Sequence, residues 1–416
     1  MRAMAVPKPS IGRPARRALA SLMSGLRLHR RPVRIALLGL AFVLLVFYCL
    51  STLYSVNLCA LPGTTACAGF GTDFKGDLYR AGHAISHGVT PYHPAALEAE
   101  VRKLRAGATV GWIASPRYPP AVLLAAVPLS LLPFPVAAVL FLLMSAAAIV
   151  LALRLLGVSD WRCIALALLS PASLYGLWVG NLSPVLLLGV ALVWHWRSHV
   201  RILAVAVAAT IAAKLFLWPL AVWLGVTRRF RAFALASWLA LGGVLAAWAV
   251  IGFADMTAYP HMLSDVVYIG EARGSSLVRF LLSAGVSVGV ARAATITCAV
   301  CLLVSAGVAA RRPDGDRTAF ALIVVAALVA TPVLWLHYML LLFVPIALFS
   351  RRLSPMWFVP LLASWAPAYD LVIELVVLGW VFAQQPRHRL IRTDHVSSRG
   401  LTSKFSPPAI SAELAE

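Results

Sequence analysis

Apolar positions along this chain come in long continuous runs rather than one-sided stripes, and polar residues gather in the short gaps between them. The runs fall near 33–56, 118–133, 135–156, 161–180, 183–197, 200–226, 232–254, 287–310, 318–335, 337–350, 354–369 and 370–384. Most approach the length that carries a helix across the hydrocarbon core of a bilayer, so the pattern predicts an all-α polytopic membrane protein of roughly twelve transmembrane segments. The gaps carry the arginines: "TRRFRA" (227–232), "ARRPDGDR" (310–317), "SRRL" (350–353) and "PRHR" (386–389). That is the positive-inside pattern of cytoplasmic loops.

Residues 1–32 are basic, without an acid, and read as a cytoplasmic arm too long for an ordinary cleaved signal peptide. The arm fixes the start of the first span, 33–56, inside and so places 57–118 outside. Residues 33–384 then form the transmembrane domain. The Ser- and Pro-rich stretch 385–416 reads as a disordered cytoplasmic tail, and the whole as a multi-pass protein of the cell membrane with both termini in the cytoplasm. Two cuts fit the middle. Strict alternation keeps 118–133 and 135–156 as separate spans. The other makes 118–156 one crossing kinked at Pro128, Pro133 and Pro135 and splits 200–226 at Lys214, which obeys the charge rule better.

Composition narrows the class. The chain is 61% hydrophobic and 12% charged, where a soluble domain is about a quarter charged. Its formal charge of +21 would suggest nucleic acid in a soluble protein. Here the basic residues sit at span ends, and no nucleic-acid partner is expected. Cys49, Cys163, Cys298 and Cys301 lie in apolar runs as small hydrophobes. Cys59 and Cys67 flank an outer loop, where they can either pair as a disulfide or remain free.

One gap is chemically dense. "GTDFKGDLYRAGHAISHGVTPYHP" (71–94) carries two aspartates and three histidines beside the first span. As a helix over 73–87, it puts Phe74, Leu78, Ala81 and Ile85 on one face and Asp73, Asp77, Arg80 and His87 on another. That pattern suits a helix lying in the membrane interface, ended by Gly88. The plainer reading makes Asp73 an N-cap and pairs Asp77 with Arg80. Lys214, inside the run "TIAAKLFLWPL" (210–220), is costly at membrane depth; it either serves a site or snorkels to the interface.

"TDFKGDLYRAGHAISHGVTPY" (72–92), followed by "RYPPAVLLAAVPLSLLPF" (117–134), resembles the membrane glycosyltransferases of glycosyltransferase family 87. The carrying residues are Asp73, Phe74, Tyr79, Ala81, Gly88, Pro91 and Tyr92, then Tyr118, Pro119 and Pro120. "TPVLWLHY" (331–338) matches a later Pro-x-x-Trp-x-His-Tyr element, and the likeness runs from about 70 to 350. Two departures stand out. One extra residue separates Asp73 from Tyr79, so Asp77 competes for the acidic role, and Gly180-Asn181-Leu182-Ser183 stands where the family often has Gly-Gln-x-Asn.

The resemblance implies a GT-C-type bundle. It implies transfer of a sugar, mannose first and arabinose next, from a polyprenyl-phosphate donor to a hydroxyl of a lipid-linked or cell-envelope glycan on the outer face. Inverting displacement needs one carboxylate as base: Asp73 first, Asp77 second. A lipid-phosphate leaving group needs cations or N–H donors. His337 is placed there by the resemblance, Lys214 by the cost of its position; Arg117, Arg273 and Arg279 are weaker candidates, although Glu271 and Arg273 could simply pair. Tyr79, Arg80, Tyr118 and Tyr338 complete the expected substrate-binding set. No cofactor and no metal are expected, since no Asp-x-Asp cluster is present. The competing class is a transporter or lipid flippase, which would place charges and broken helices at the midplane with internal repeats; the sequence carries no convincing repeat.

Overall fold

The computed structural model describes residues 70–107, 116–363 and 367–383. The basic arm, the first span, the Cys59–Cys67 loop and the tail from 385 lie outside the described residues. Within them every regular element is helical. A π-helical stretch, Phe74–Tyr79, runs into α1 (Arg80–Ser86), and α2 (Pro94–Arg105) follows. Then come α3 (Pro120–Ser130), α4 (Phe134–Leu155), α5 (Trp161–Leu168), α6 (Pro171–Val179), α7 (Ser183–His195) and α8 (Val200–Ala213). The remainder is α9 (Pro219–Val226), α10 (Phe230–Val250), α11 (Tyr259–Arg273), α12 (Leu277–Ser283), α13 (Val288–Ala310), α14 (Asp316–Ala330), α15 (Phe343–Phe349) and α16 (Pro367–Ala383). Two 3₁₀ stretches, Leu336–Leu342 and Pro355–Leu362, flank α15.

The apolar runs correspond to these helices, but few are uninterrupted. Among the described residues three helices, α4, α10 and α13, are each long and apolar enough to cross a membrane, and the α5–α6 pair, bent by 56°, makes a possible fourth crossing. The others are shorter because their runs are cut. Pro133 separates α3 from α4, a break that both cuts allow. Lys214, extended at φ −156° and ψ 112°, ends α8 inside the 200–226 run, as the other cut expected. Exposed apolar side chains stud α4 (Leu143, Met144), α10 (Trp238, Leu241) and α13 (Ile296, Val304), a face suited to lipid rather than water. The centre is α14, buried on all sides from Thr318 to Val329, with the 336–348 segment beside it.

The 73–87 helix is present, and Gly88 ends it at φ +70°. Its setting differs from a surface-lying helix. Phe74, Leu78 and Ala81 enter the core against Phe134 and Phe141, and Asp73 and Asp77 on the other side are also buried, at 6% and 1% exposure. Asp73 stands at the N-cap position but makes no capping bond, and Asp77 pairs elsewhere than Arg80, which is exposed. Glu271 likewise takes Arg292, Nε to Oε1 at 2.7 Å.

Two glycines allow the close approaches that shape the interior. Gly180 ends α6 at φ +70°, and a Cβ there would lie 2.6 Å from Phe74 Cβ. Gly270, in α11, receives the 332–333 backbone, with Val333 Cα 2.9 Å from where its Cβ would be. Gly180→Ala is therefore expected to destabilise by about 1–2 kcal/mol from the left-handed backbone alone, and further through the clash. Gly242→Ala, in α10 with open space around it, should be neutral or slightly stabilising. Melting of the two variants in detergent checks the contrast.

Candidate active site

Five stretches that are not ordinary α-helix meet at one cavity: the π-helical stretch 74–79, the 117–118 approach to α3, the 180–181 end of α6, the break at Lys214, and 331–338. Each delivers polar groups because backbone outside regular helix leaves side chains and peptide groups pointing inward. The cavity is about 100 Å³ and is lined on its polar side by Asp73, Asp77, Arg117, Asn181, Lys214 and His337, with Tyr118, Tyr175, Trp335 and Tyr338 closing it.

Arg117 organises the acids. Its guanidinium donates to Asp77 Oδ2 from NH2 at 2.7 Å and from Nε at 3.2 Å, with Nε also 3.4 Å from Oδ1. The same NH2 is 3.7 Å from Asp73 Oδ1. Asp73 Oδ2 accepts from Asn181 Nδ2 at 2.8 Å, and Asn181 Oδ1 accepts from the Ser183 N–H and hydroxyl, which fixes its amide orientation. So Asp77 is held along the guanidinium edge, while Asp73 keeps Oδ1 without a hydrogen bond among the described residues, 3.7 Å from the guanidinium. Burial raises the Asp73 carboxyl to about 6; Arg117 opposes the rise, Asp77 adds to it, and the Asn181 hydrogen bond opposes it. Burial alone would lower the Arg117 pKa, but the Asp77 and Asp73 charges outweigh it and hold the group above its ordinary value.

Across the cavity, the Lys214 ammonium lies 3.9 Å from the Tyr118 ring centre and 5.8 Å from that of Tyr338. That is cation–π range, which holds a cation without neutralising it. His337 is 4% exposed, and neither ring nitrogen has a hydrogen-bond partner among the described residues. Its ring is sandwiched by Tyr175, stacked at 6.0 Å, and Tyr338, edge-on at 4.5 Å. The segment carrying it is held by the Ser275 N–H donating to Leu334 O at 2.7 Å.

Of the residues singled out from sequence, Asp73, Asp77, Arg117, Tyr118, Lys214, His337 and Tyr338 line this cavity together. Tyr79, Arg80 and Arg273 do not. The Tyr79 hydroxyl donates to Leu132 O at 2.7 Å and ties the π-helical stretch to the end of α3; Arg80 and Arg273 are exposed. Arg279 is also outside the lining, its N–H capped by Ser276. The Pro91-Tyr92 pair supports the site from behind: the Tyr92 hydroxyl donates to Tyr118 O at 2.9 Å, and Thr90 donates to Asp255. Asn181, Tyr175 and Val266 were not expected at the site. A glycine followed by asparagine at the end of an apolar run was the available signal for Asn181; Tyr175 and Val266 carried none.

The family model of glycosyltransferase family 87 matches residues 117–336, more than half of the chain. The chain belongs to this family, and with its long apolar helices it is a membrane glycosyltransferase. The match begins at Arg117 and takes in Tyr118, Tyr175, Asn181, Lys214 and Trp335; Asp73 and Asp77 precede it and His337 follows it by one residue. No curated protein and no solved structure matches the chain.

A step that uses the Asp73 carboxylate needs it ionised, so its rate should rise with pH through about 6 and level off above. Asn181→Ala removes a hydrogen bond that favours the ionised form, so the acid limb of kcat/KM should move to higher pH. A limb unmoved by Asn181→Ala would separate that limb from Asp73.

Proposed function

We propose that this chain moves a sugar, mannose first, from a polyprenyl-phosphate donor to a hydroxyl of a lipid-linked or cell-envelope glycan on the extracytoplasmic face, with Asp73 as general base. The observation that carries the assignment is the unequal state of the two carboxylates. Asp77 is paired closely with Arg117, whereas Asp73 has an oxygen without a hydrogen bond among the described residues. The acceptor oxygen attacks the anomeric carbon as its proton passes to Asp73. The bond from that carbon to the phosphate oxygen breaks, and the lipid phosphate departs with the electron pair. The configuration inverts, and no covalent sugar–enzyme intermediate forms.

Charge on the departing phosphate calls for fixed cations and donors. Lys214 and Arg117 are suited to that role, and His337, with two buried nitrogens lacking partners, can supply one more hydrogen bond. A second cavity of about 280 Å³ shares Arg117, Lys214, Val266 and Val333 with the first and continues past Phe216, Trp218 and Leu263. Its apolar walls and cationic mouth suit a prenyl chain leaving a phosphate. The positive-inside pattern supports placing this mouth on the outer side. The broken helix at Lys214 favours the alternative, a transporter or flippase, but the lysine opens onto the carboxylate cavity, where glycosyl transfer has a use for it.

Membranes carrying the wild-type chain should transfer radiolabel from polyprenyl-phosphate-mannose to a glycolipid extract. With protein levels matched, Asp73→Asn should lose about 10²–10⁴-fold of the rate. His337→Ala should lose less, about 10²-fold, through the phosphate side. Wild-type rates in Asp73→Asn would end the base assignment, and silence across a panel of lipid-linked sugar donors would return the chain to the transporter reading.

A further inference from the structure

The chain has a further pocket, lacking any residue in common with the two connected cavities. It is a cavity of about 590 Å³ where α7, α8 and α10 come together, lined by Arg197, Arg228, Arg229 and Arg231 with Val200 and Phe230. This pocket and those cavities sit at opposite ends of α8: Val200 begins the helix here and Lys214 follows its last residue. Fourteen residues at 1.5 Å each separate them by about 20 Å along the axis.

Four guanidinium groups converge, and the carboxylate paired with them is Asp316. It takes Arg229 in a two-pronged contact, at 2.9 and 2.8 Å, and reaches Arg197 only at 3.8 Å. Trp223 Nε1 uses the same carboxylate at 3.0 Å. Arg228 and Arg231 are exposed, with no carboxylate partner among the described residues. They flank the N-terminus of α10, whose first-turn N–H groups precede the first intrahelical bond, from Phe233 to Arg229 O, and which has no side-chain cap. A helix N-terminus is itself positive, so arginines there repel it unless an anion intervenes.

Arg228 closes α9 at φ +58°, where Arg229 N–H bonds back to Leu224 O. Glycine is the usual residue in that left-handed position. An arginine held there puts its guanidinium at the mouth of the pocket. Beyond it, the outer surfaces of α8 and α10 are apolar and uncovered at Val200, Ile202, Val205, Phe230, Phe233 and Trp238. A cationic pocket continuous with exposed apolar helix faces has the two-part chemistry of a phospholipid.

We propose that this pocket binds the phosphate headgroup of an anionic phospholipid, with the acyl chains lying along α8 and α10. Arg228 and Arg231 supply bidentate contacts to phosphate oxygens, and the α10 N-terminus supplies N–H donors. The headgroup fills the space between arginines that would otherwise repel one another.

The test titrates the purified full chain in detergent with phosphatidylglycerol and follows bound lipid by native mass spectrometry and melting temperature. Phosphatidylcholine and inorganic phosphate form parallel arms. Phosphatidylglycerol should bind and raise the melting temperature, and the other two should not. Arg228→Gly/Arg231→Gln should weaken that binding by about tenfold or more. It should still fold, because glycine suits the φ of 228 and glutamine suits a helix. Arg311→Gln/Arg352→Gln, at other exposed basic loops, should bind as the wild type does. Unchanged binding in Arg228→Gly/Arg231→Gln, an equal loss in the control pair, or the same gain from inorganic phosphate would overturn the assignment.

Discussion

The site depends on one guanidinium buried between two carboxylates. Taking a carboxylate or a guanidinium out of water costs several kcal/mol per ion, and only close pairing with completed hydrogen bonds offsets it. Arg117 reaches Asp77 at 2.7 Å and Asp73 at 3.7 Å, so it compensates one acid strongly and the other weakly. The inequality places the burden of holding Asp73 on Asn181, and Asn181 on Ser183. That chain of contacts explains why the end of α6 must lie against Phe74 and why a glycine stands at 180. The carboxylate left least compensated is the one whose affinity for a proton is raised, which is what a base for a hydroxyl requires.

A membrane protein has few ways to place such groups in its interior. Regular helix satisfies its own backbone and presents side chains only along its faces, so polar chemistry collects where helices stop. Here the stops are set by Gly180, Lys214 and the Thr331-Pro332 step, and the break at each turns a side chain or peptide group to the same cavity. His337, with both nitrogens lacking a partner among the described residues, is incompletely satisfied. An unpaired buried imidazole costs free energy, and that cost is recovered when a ligand supplies the missing hydrogen bond.

Much of this was legible in the sequence. The apolar runs located most helices, Gly88 located the end of α1, and seven of the proposed site residues line one cavity, because chemistry-bearing residues in apolar surroundings are conspicuous. The differences between expectation and structure share a cause. Read alone, the 73–87 helix has an apolar face and a charged face, which looks like a helix at a surface. Its two aspartates are covered by Arg117, from a segment 40 residues on in the case of Asp77, while Arg80 and His87 stay exposed; no local periodicity encodes that contact. Tyr79 was read as a ligand contact, although a phenol beside a helix end serves equally to bind Leu132 O. Of the roughly twelve expected spans, three single helices among the described residues have the length and composition to cross a membrane, because proline and Lys214 cut runs that hydropathy joins.

The sizes of the two connected cavities say how the site is divided. A cavity of about 100 Å³ is below the ~300 Å³ at which ligand pockets begin, and so is the adjoining cavity of about 280 Å³. Joined through the residues they share, they enter that range. The shared boundary is Arg117, Lys214, Val266 and Val333, and the opposite wall is Asp73, Asp77 and Asn181, with Asn181 bonded to Asp73 and Asp77 bonded to Arg117 of the boundary. A donor's phosphate and chain would lie on the side of Lys214 and Val333, which stand in irregular backbone, and the carboxylates lie on the side held by Arg117 and Asn181. A transferase that must admit a long flexible donor while holding one oxygen atom against a sugar hydroxyl needs that asymmetry, because misplacing the base costs rate whereas the chain tolerates slack.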